Sequence, residues 1–215
     1  MVKIQLRARK IYDSKVLKAM RAVPRHMFVP LKYKENAYDD TPLPIGYGQT
    51  ISQPYIVGLM TELLQVRPEG KYLEIGTGSG YQAAILAAIG ASVYTIEIIP
   101  ESGNQASKVI NELGYKKVYY RTGDGYYGWS EESPFDGIIV TAAPDHIPKA
   151  LLEQLSDQGK LVIPIRNSAG SQTLWLVEKR SGKWVLVNHG SVAFVPFIVS
   201  GGDGGESKSP VIHNI

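Results

Sequence analysis

From Lys71 onward the chain alternates short β-branched runs with segments of helical spacing, and this alternation narrows the possible folds more than any other feature. The runs KYLEI (71–75), SVYTIE (92–97), KKVYYR (116–121), FDGIIVT (135–141) and GKLVIPI (159–165) read as strands, most of them apolar enough to be buried on both faces. Between them, YQAAILAAIG (81–90), ESGNQASKVINELG (101–114) and IPKALLEQLSDQG (147–159) carry helix periodicity, and Gly90, Gly114 and Gly159 are expected to end those helices. Strand–helix–strand crossovers within one sheet are right-handed and place helices on both faces, so the expected architecture is α/β with a mostly parallel sheet. QTLWLVEKR (172–180) and KWVLVNHG (183–190) flank a Ser-Gly pair and read as an antiparallel hairpin at the sheet edge. Upstream of Lys71, helix signals cover 13–22 and 54–65, with a Pro-rich segment between them.

At 215 residues and 44% hydrophobic composition, the chain can bury one generous core and not two. It has no cysteine, which excludes disulfides, thiolate metal sites and cysteine nucleophiles. The four histidines, His26, His146, His189 and His213, show no metal-ligand spacing, so no metal is expected. The formal charge of +3 is unevenly spread. Lys3, Arg7, Arg9, Lys10, Lys15, Lys18, Arg21 and Arg25 face only Asp13 within the first 25 residues. Such an arm can bind nucleic acid, but its cations interleave with apolar residues as on the solvated face of a helix. No apolar leader or bilayer-length apolar run occurs, so a soluble, cytoplasmic protein is expected, with no membrane partner.

The first strand of the alternating region runs into LEIGTGSGYQ (73–82). In an open parallel sheet, ligands bind beyond the carboxyl ends of the strands, where the strand order reverses. Gly76 and Gly78 allow a sharp turn and close approach to a ligand, and Gly80 lets the next helix start against the strand. The spacing G-x-G-x-G departs from the dinucleotide fingerprint, and the P-loop lysine is missing. Glu97 ends the second strand, where a carboxylate can accept hydrogen bonds from both ribose hydroxyls of an adenosine. Asp124, in TGDG (122–125), is placed to approach an adenine, and Glu74 to meet a ligand ammonium group. Plainer readings exist for each: a tight connector for the glycines, a surface acid for Glu97, and Asp-Gly turn chemistry for Asp124. Taken together, three acids at successive strand ends suit a cationic adenosine cofactor and repel a pyrophosphate. S-adenosylmethionine fits that description.

LPIGYGQTISQPY (43–55), LEIGTGSGYQAA (73–84), TIEIIPE (95–101), GDG (123–125), FDGIIVTAAPDHIP (135–148) and AFVPF (193–197) together resemble the protein-L-isoaspartate (D-aspartate) O-methyltransferase family. The likeness spans about Val23 to Phe197, and its most specific parts are the QTIS segment and the FVP motif. It implies a Rossmann-like class I methyltransferase fold in a single domain. Residues 1–70 would form a helical cap with an active-site lid, 71–199 the cofactor-binding sheet, and 200–215 a flexible tail. It further implies transfer of a methyl group from S-adenosylmethionine to the free α-carboxylate of L-isoaspartyl residues in damaged proteins, the ester then closing to a succinimide. By position, Ser52 is the implied active-site residue, with Gln49, Thr50 and Ile51 also lining the cofactor. Glu74, Gly76, Gly78, Gly80, Glu97, Asp124 and Gly125 complete the implied cofactor set. Phe194, Val195 and Pro196 are expected beside the substrate peptide, and the enzyme is expected to work as a monomer.

The chemistry explains so modest a catalytic residue. An isoaspartyl carboxyl has a pKa near ~4 and is already ionised at neutral pH, so no general base is needed to make the nucleophile. Alignment of the reacting atoms remains, and positioning of this kind can supply about 7–11 kcal/mol of barrier reduction. Ser52 also stands where it could N-cap the helix begun by Gln53-Pro54. Two departures from the family, Gly103 inside a helix and Phe197 in place of leucine, are expected to lie away from the chemistry. Tyr55 stands where other members carry histidine and is assigned no catalytic role. Two alternatives use the same cleft: a nucleic-acid methyltransferase, and a non-catalytic adenosine-binding protein. The first lacks both the cysteine of cytosine-C5 chemistry and an Asn/Asp-Pro-Pro-aromatic motif after the fourth strand, where the chain reads VTAAPD (140–145).

Overall fold

The computed structural model describes residues 1–180 and 182–200. Of the flexible tail expected at 200–215, residues 201–215 lie outside the described residues, as does one residue of the hairpin turn.

Seven strands form one sheet in the order β5-β4-β3-β6-β7-β8-β9. β3 (Lys71–Ile75), β4 (Ser92–Glu97), β5 (Val118–Thr122), β6 (Phe135–Val140) and β7 (Leu155–Arg166) pair in parallel. β8 (Gln172–Arg180) and β9 (Lys183–Val192) add antiparallel, with β9 at the edge. This is the class I methyltransferase architecture, with the edge hairpin expected from the sequence. From β3 the chain moves outward through β4 and β5, then returns to place β6 on the other side of β3. The strand order therefore reverses at the carboxyl end of β3, where the glycine turn sits.

α3 (Tyr81–Ile89) and α4 (Pro100–Glu112) follow β3 and β4. Gly90 and Gly114 end them at φ +102° and +81°, as expected of left-handed C-terminal residues. Gly80 precedes α3 at φ +85°, and a Cβ there would lie 2.9 Å from Ala106 Cβ on α4. Glycine at this position thus lets two helices close on one another. The helix expected over 147–159 is a correction: α5 spans only Lys149–Glu153, and β7 already begins at Leu155. The β6–β7 register shifts from Phe135↔Leu155 to Gly137↔Lys160. A Cβ on Gly159 would come within 3.0 Å of the carbonyl oxygens of Phe135 and Ser156, so this glycine serves a strand irregularity and not a helix stop.

The N-terminal region caps one side of the sheet. α1 (Ser14–Ala22) starts at Asp13, whose carboxylate accepts from Lys15 N–H at 2.7 Å. Glu62 on α2 (Pro54–Leu64) accepts from the N–H groups of Tyr12 and Asp13 at 2.7 and 2.6 Å, tying the arm to the body. Arg25 corrects the reading of the basic arm as a purely solvated face. Its side chain is fully buried, its Nε donates to Ala37 O at 2.7 Å, and its guanidinium lies over the Tyr81 ring. Burial pulls its pKa down to about 10, which leaves it charged at neutral pH. Between α1 and α2 the Pro-rich segment forms a small hairpin of β1 (Leu43–Gly46) and β2 (Gln49–Ile51). Its turn puts Gly46, Tyr47 and Gly48 all at positive φ, which accounts for the glycines flanking Tyr47. Among the described residues, no helix is long and apolar enough to cross a membrane.

Candidate active site

At the carboxyl end of β3 lies a cleft, where the strand order reverses. The β2 end (Gln49, Thr50, Ile51) and Ser52 form one wall; Glu74, Gly76, Gly78, Glu97 and Gly125 contribute to the opposite side. The chain near its C-terminus, Val195 to Ile198, closes it. Two residues of the expected cofactor set stand elsewhere, and one residue expected beside the substrate lines a neighbouring groove. Gly80 is taken up by helix packing, as described. Asp124 is absent from the wall: its Oδ1 accepts from Tyr126 N–H at 2.9 Å and its Oδ2 from Ser200 N–H at 2.7 Å, so it works as a turn cap and a latch for the closing segment. Phe194 faces a neighbouring groove.

Glu97 is held ready by the backbone. Its Oε2 accepts from Gly78 N–H at 2.7 Å and its Oε1 from Ile99 N–H at 3.0 Å. A carboxylate offers about four acceptor positions, so each oxygen retains capacity for a ligand hydroxyl. The Gly78 bond also occupies a donor that a dinucleotide-type turn would aim at a phosphate. Glu74 is fully buried on β3; its Oε2 accepts from Thr95 Oγ1 at 2.5 Å, and Thr95 Oγ1 lies 2.6 Å from Thr77 Oγ1. Its Oε1 has no partner. Desolvation raises the Glu74 carboxyl to about 8, opposed by the Thr95 bond and reinforced by the charge of Glu97.

Two glycines are fixed by neighbours. At Gly76, φ is +92° and a Cβ would collide with Thr141 Oγ1; at Gly125 it would collide with the Ile75 side chain. Thr141 donates to Gly76 O at 2.6 Å, and its own N–H donates to Ile75 O at 2.9 Å. Thr141 and Gln82 line the cleft and were missed from the sequence. The position of Thr141 directly after β6, at the ligand-bearing end of the sheet, was the signal available. Tyr126 Oη lies 2.8 Å from His146 Nε2, whose Nδ1 faces Asp145, joining the loops after β5 and β6. No sequence pattern marked that cluster.

Ser52 follows β2 and does not cap α2. The N-cap is Gln53, without a side-chain capping bond, and Asp40 Oδ1 instead accepts from Tyr55 N–H at 3.2 Å. Ser52 lines both the cleft and the outer groove. Thr50, Thr141 and Val195 are likewise shared. Phe194 and Val195 sit in the groove wall because Gln172 brackets Phe194, donating to its carbonyl at 2.9 Å and accepting its N–H at 2.6 Å. Ala143 then holds the strap from both sides, donating to Val195 O at 2.9 Å and accepting from Phe197 N–H at 3.2 Å.

The two departures expected to lie away from the site both touch it. Gly103 on α4 packs against Glu97, where a Cβ would lie 3.4 Å from Glu97 Cβ, and Phe197 lines the cleft. The crossover after β4 brings the first turn of α4 back over the end of its own strand, a proximity that sequence distance hides.

The model for the family described as protein-L-isoaspartate(D-aspartate) O-methyltransferase matches residues 1–201. A protein-L-isoaspartate O-methyltransferase of Opitutus terrae is 52% identical over 197 residues, covering 92% of this chain and 84% of the relative. One from Dictyoglomus turgidum is 54% identical over 186 residues, covering 86% and 84%. Among solved structures, a protein-L-isoaspartate O-methyltransferase superposes with a TM-score of 0.81 at 29% identity, covering 91% of this chain; the chain spans 65% of that structure's length. A Plasmodium falciparum structure, described as a protein-L-isoaspartate O-methyltransferase in complex with S-adenosyl-L-homocysteine, gives 0.80 at 27% identity over 92% of this chain and 96% of that one. The chain belongs to the protein-L-isoaspartate (D-aspartate) O-methyltransferase family.

Proposed function

We propose that the protein is a repair methyltransferase that moves a methyl group from S-adenosylmethionine to the α-carboxylate of L-isoaspartyl residues in damaged proteins, acting as a cytoplasmic monomer. The ester closes to a succinimide without help from the enzyme, and hydrolysis returns part of it to aspartate.

The observation that carries this reading is a pair of adjoining cavities with opposite electrostatic character. Among the described residues, the cleft is lined by Glu74 and Glu97 with no Lys or Arg, and the groove by Arg9 with no Asp or Glu. A cationic donor and an anionic acceptor are thereby sorted to either side of a common wall. The cleft residues fit S-adenosylmethionine on three counts: an orphaned buried carboxylate oxygen on Glu74, a pre-set acceptor on Glu97, and a glycine turn whose Gly78 donor is already occupied. When bound, that cofactor supplies a methyl group made electrophilic by a sulfonium.

The chain's own residues have distinct tasks. Glu97 takes the ribose hydroxyls. Glu74 faces the ammonium group and settles as a carboxylate beside it, since an adjacent cation favours the charged form. Gln49, Thr50 and Ile51 cover the cleft, and Val195 to Ile198 exclude water from the other side. Ser52, free of capping duty, donates its hydroxyl to one oxygen of the incoming carboxylate and leaves the other directed at the donor. Phe194, Val195 and Pro196 hold the substrate chain beside it. No proton has to be removed from the nucleophile, so a base is not required.

The test is methyl transfer to an isoaspartyl peptide and to its aspartyl twin, in the parent and in Ser52→Ala. Expected are activity on the first peptide alone and a loss of roughly tenfold or more in kcat/KM for the mutant. Its thermal midpoint should stay within about 2 °C of the parent, as for a substitution that removes no buried contact. Equal methylation of both peptides would end the functional reading; an unimpaired mutant would end the role given to Ser52.

A further inference from the structure

Arg9 belongs to the basic arm that the function above leaves unexplained. It ends a short helical turn, Arg7–Arg9, and is followed by Lys10 at φ +70°, so the chain reverses and Arg9 reaches the outer groove. Its position is fixed twice. The guanidinium lies 3.4 Å from the centre of the Tyr55 ring, and its Nη1 donates to Asp40 Oδ2 at 2.8 Å. Asp40 is itself held by the chain, because its Oδ1 accepts from Tyr55 N–H and its carbonyl from Gln53 Nε2. One N–H of the five in the guanidinium fork is thus engaged by Asp40, and a ring face carries the plane. An arginine held flat on an aromatic ring, with free donors at its rim, is arranged for a carboxylate.

The groove around it supports this. It holds Ser52, and among the described residues its lining adds no acid to Asp40, which engages one edge of the guanidinium from behind the wall. His189 lines it too, with Nε2 buried and unpartnered, and burial lowers its pKa so that the ring is neutral at pH 7. Among the described residues, Arg9 is therefore the groove's one charged lining residue.

We infer that Arg9 is a specificity residue, recognising a carboxylate carried by the substrate chain beside the isoaspartyl group. The inference rests on the function proposed above. The carboxylate is an acidic side chain next to the damaged residue or the terminus of a short peptide. Ser52 positions the group that is methylated; Arg9 selects which chains bring it there. Tyr55 and Asp40 act through Arg9, as its platform and its tether.

The experiment compares amidated isoaspartyl hexapeptides bearing Glu, Gln or Lys beside the isoaspartyl residue, plus the Gln peptide with a free terminus. It reads methyl-transfer kcat/KM, and peptide Kd by calorimetry with S-adenosylhomocysteine present. The parent should favour Glu over Gln by about fivefold, and Gln over Lys by a similar factor, as for partly exposed charge pairs. The preference should shrink as salt is raised. Arg9→Gln should narrow the spread to under about twofold, while Arg9→Lys, which keeps the charge but not the stacked planar fork, should retain only part of it. A gain confined to the free-terminus peptide would assign the carboxylate to the chain end. A parent that methylates all three amidated peptides and the free-terminus peptide alike, or an Arg9→Gln protein that keeps the parental spread, overturns the inference and leaves the function standing. A parent that methylates none overturns both.

Discussion

The inner cleft and the outer groove share four wall residues yet are built by different means. The cleft rests on the sheet: its acids stand on β3 and β4, and backbone N–H groups or buried hydroxyls hold them. The groove draws on more scattered parts: an arginine from the N-terminal arm, the end of β2, one face of α2, the end of the edge strand β9 and the strap after it. A cofactor never changes shape between turnovers, and rigid strand ends suit it. Damaged proteins differ at every encounter, and a groove assembled from loops and side-chain tethers tolerates that variety.

The contrast is open to attack, first through Glu97. Glu97→Ala removes the ribose acceptor and orphans the Gly78 and Ile99 donors. It should weaken S-adenosylhomocysteine binding by about 100-fold, while isoaspartyl peptide binding stays within about twofold. Calorimetry with each ligand alone decides; equal losses on both sides would dissolve the distinction between the cavities.

Glu74 gives a pH test of the inner side. Its folded pKa of about 8 lies above the unfolded value, so between those two values the folded protein holds a proton that the unfolded chain has released. Stability from this group is therefore full at low pH and is lost as pH rises through that window. For the cofactor-free protein, the fall from pH 5.5 to 8 should be on the order of 3 kcal/mol, and Glu74→Gln should flatten it. Urea midpoints at the two pH values check this, and an unchanged slope in the mutant would place the titrating group elsewhere. Saturating S-adenosylhomocysteine should flatten the slope in the parent too, because its ammonium favours the ionised acid.

The smallest effect is expected at Gly103. Alanine gains helix propensity there but presses on Glu97, whose backbone bonds leave it little room. Gly103→Ala should raise the thermal midpoint slightly while weakening cofactor binding about threefold, read by melting and by calorimetry. A tighter cofactor complex would show that the Glu97 carboxylate was not already in its working position.

Much of the inner cleft was legible because its determinants are local. A glycine turn after an apolar strand, and an acid ending the next strand, place Gly76, Gly78 and Glu97 without knowledge of distant contacts. The groove was barely legible, because it depends on the arm, the β1–β2 hairpin and the strap meeting in space. Arg9 looked like one of eight similar cations, and nothing in the spacing marked it apart from Arg25, which is buried. The misplaced β7 start has a different origin: Leu155 and Gly159 fit a helical spacing that strand pairing with β6 overrode. Asp124 was correctly placed after β5, and a turn acid there also caps its own loop: Tyr126 and Ser200 each donate to one of its oxygens, as backbone groups do at Glu97.

Val195 belongs to both cavities and is reached late in the chain, after every strand of the large sheet. During synthesis the sheet can therefore be finished while neither chamber has its final side. A chain ended before the strap would lack one side of each chamber while keeping every strand on which Glu74 and Glu97 stand.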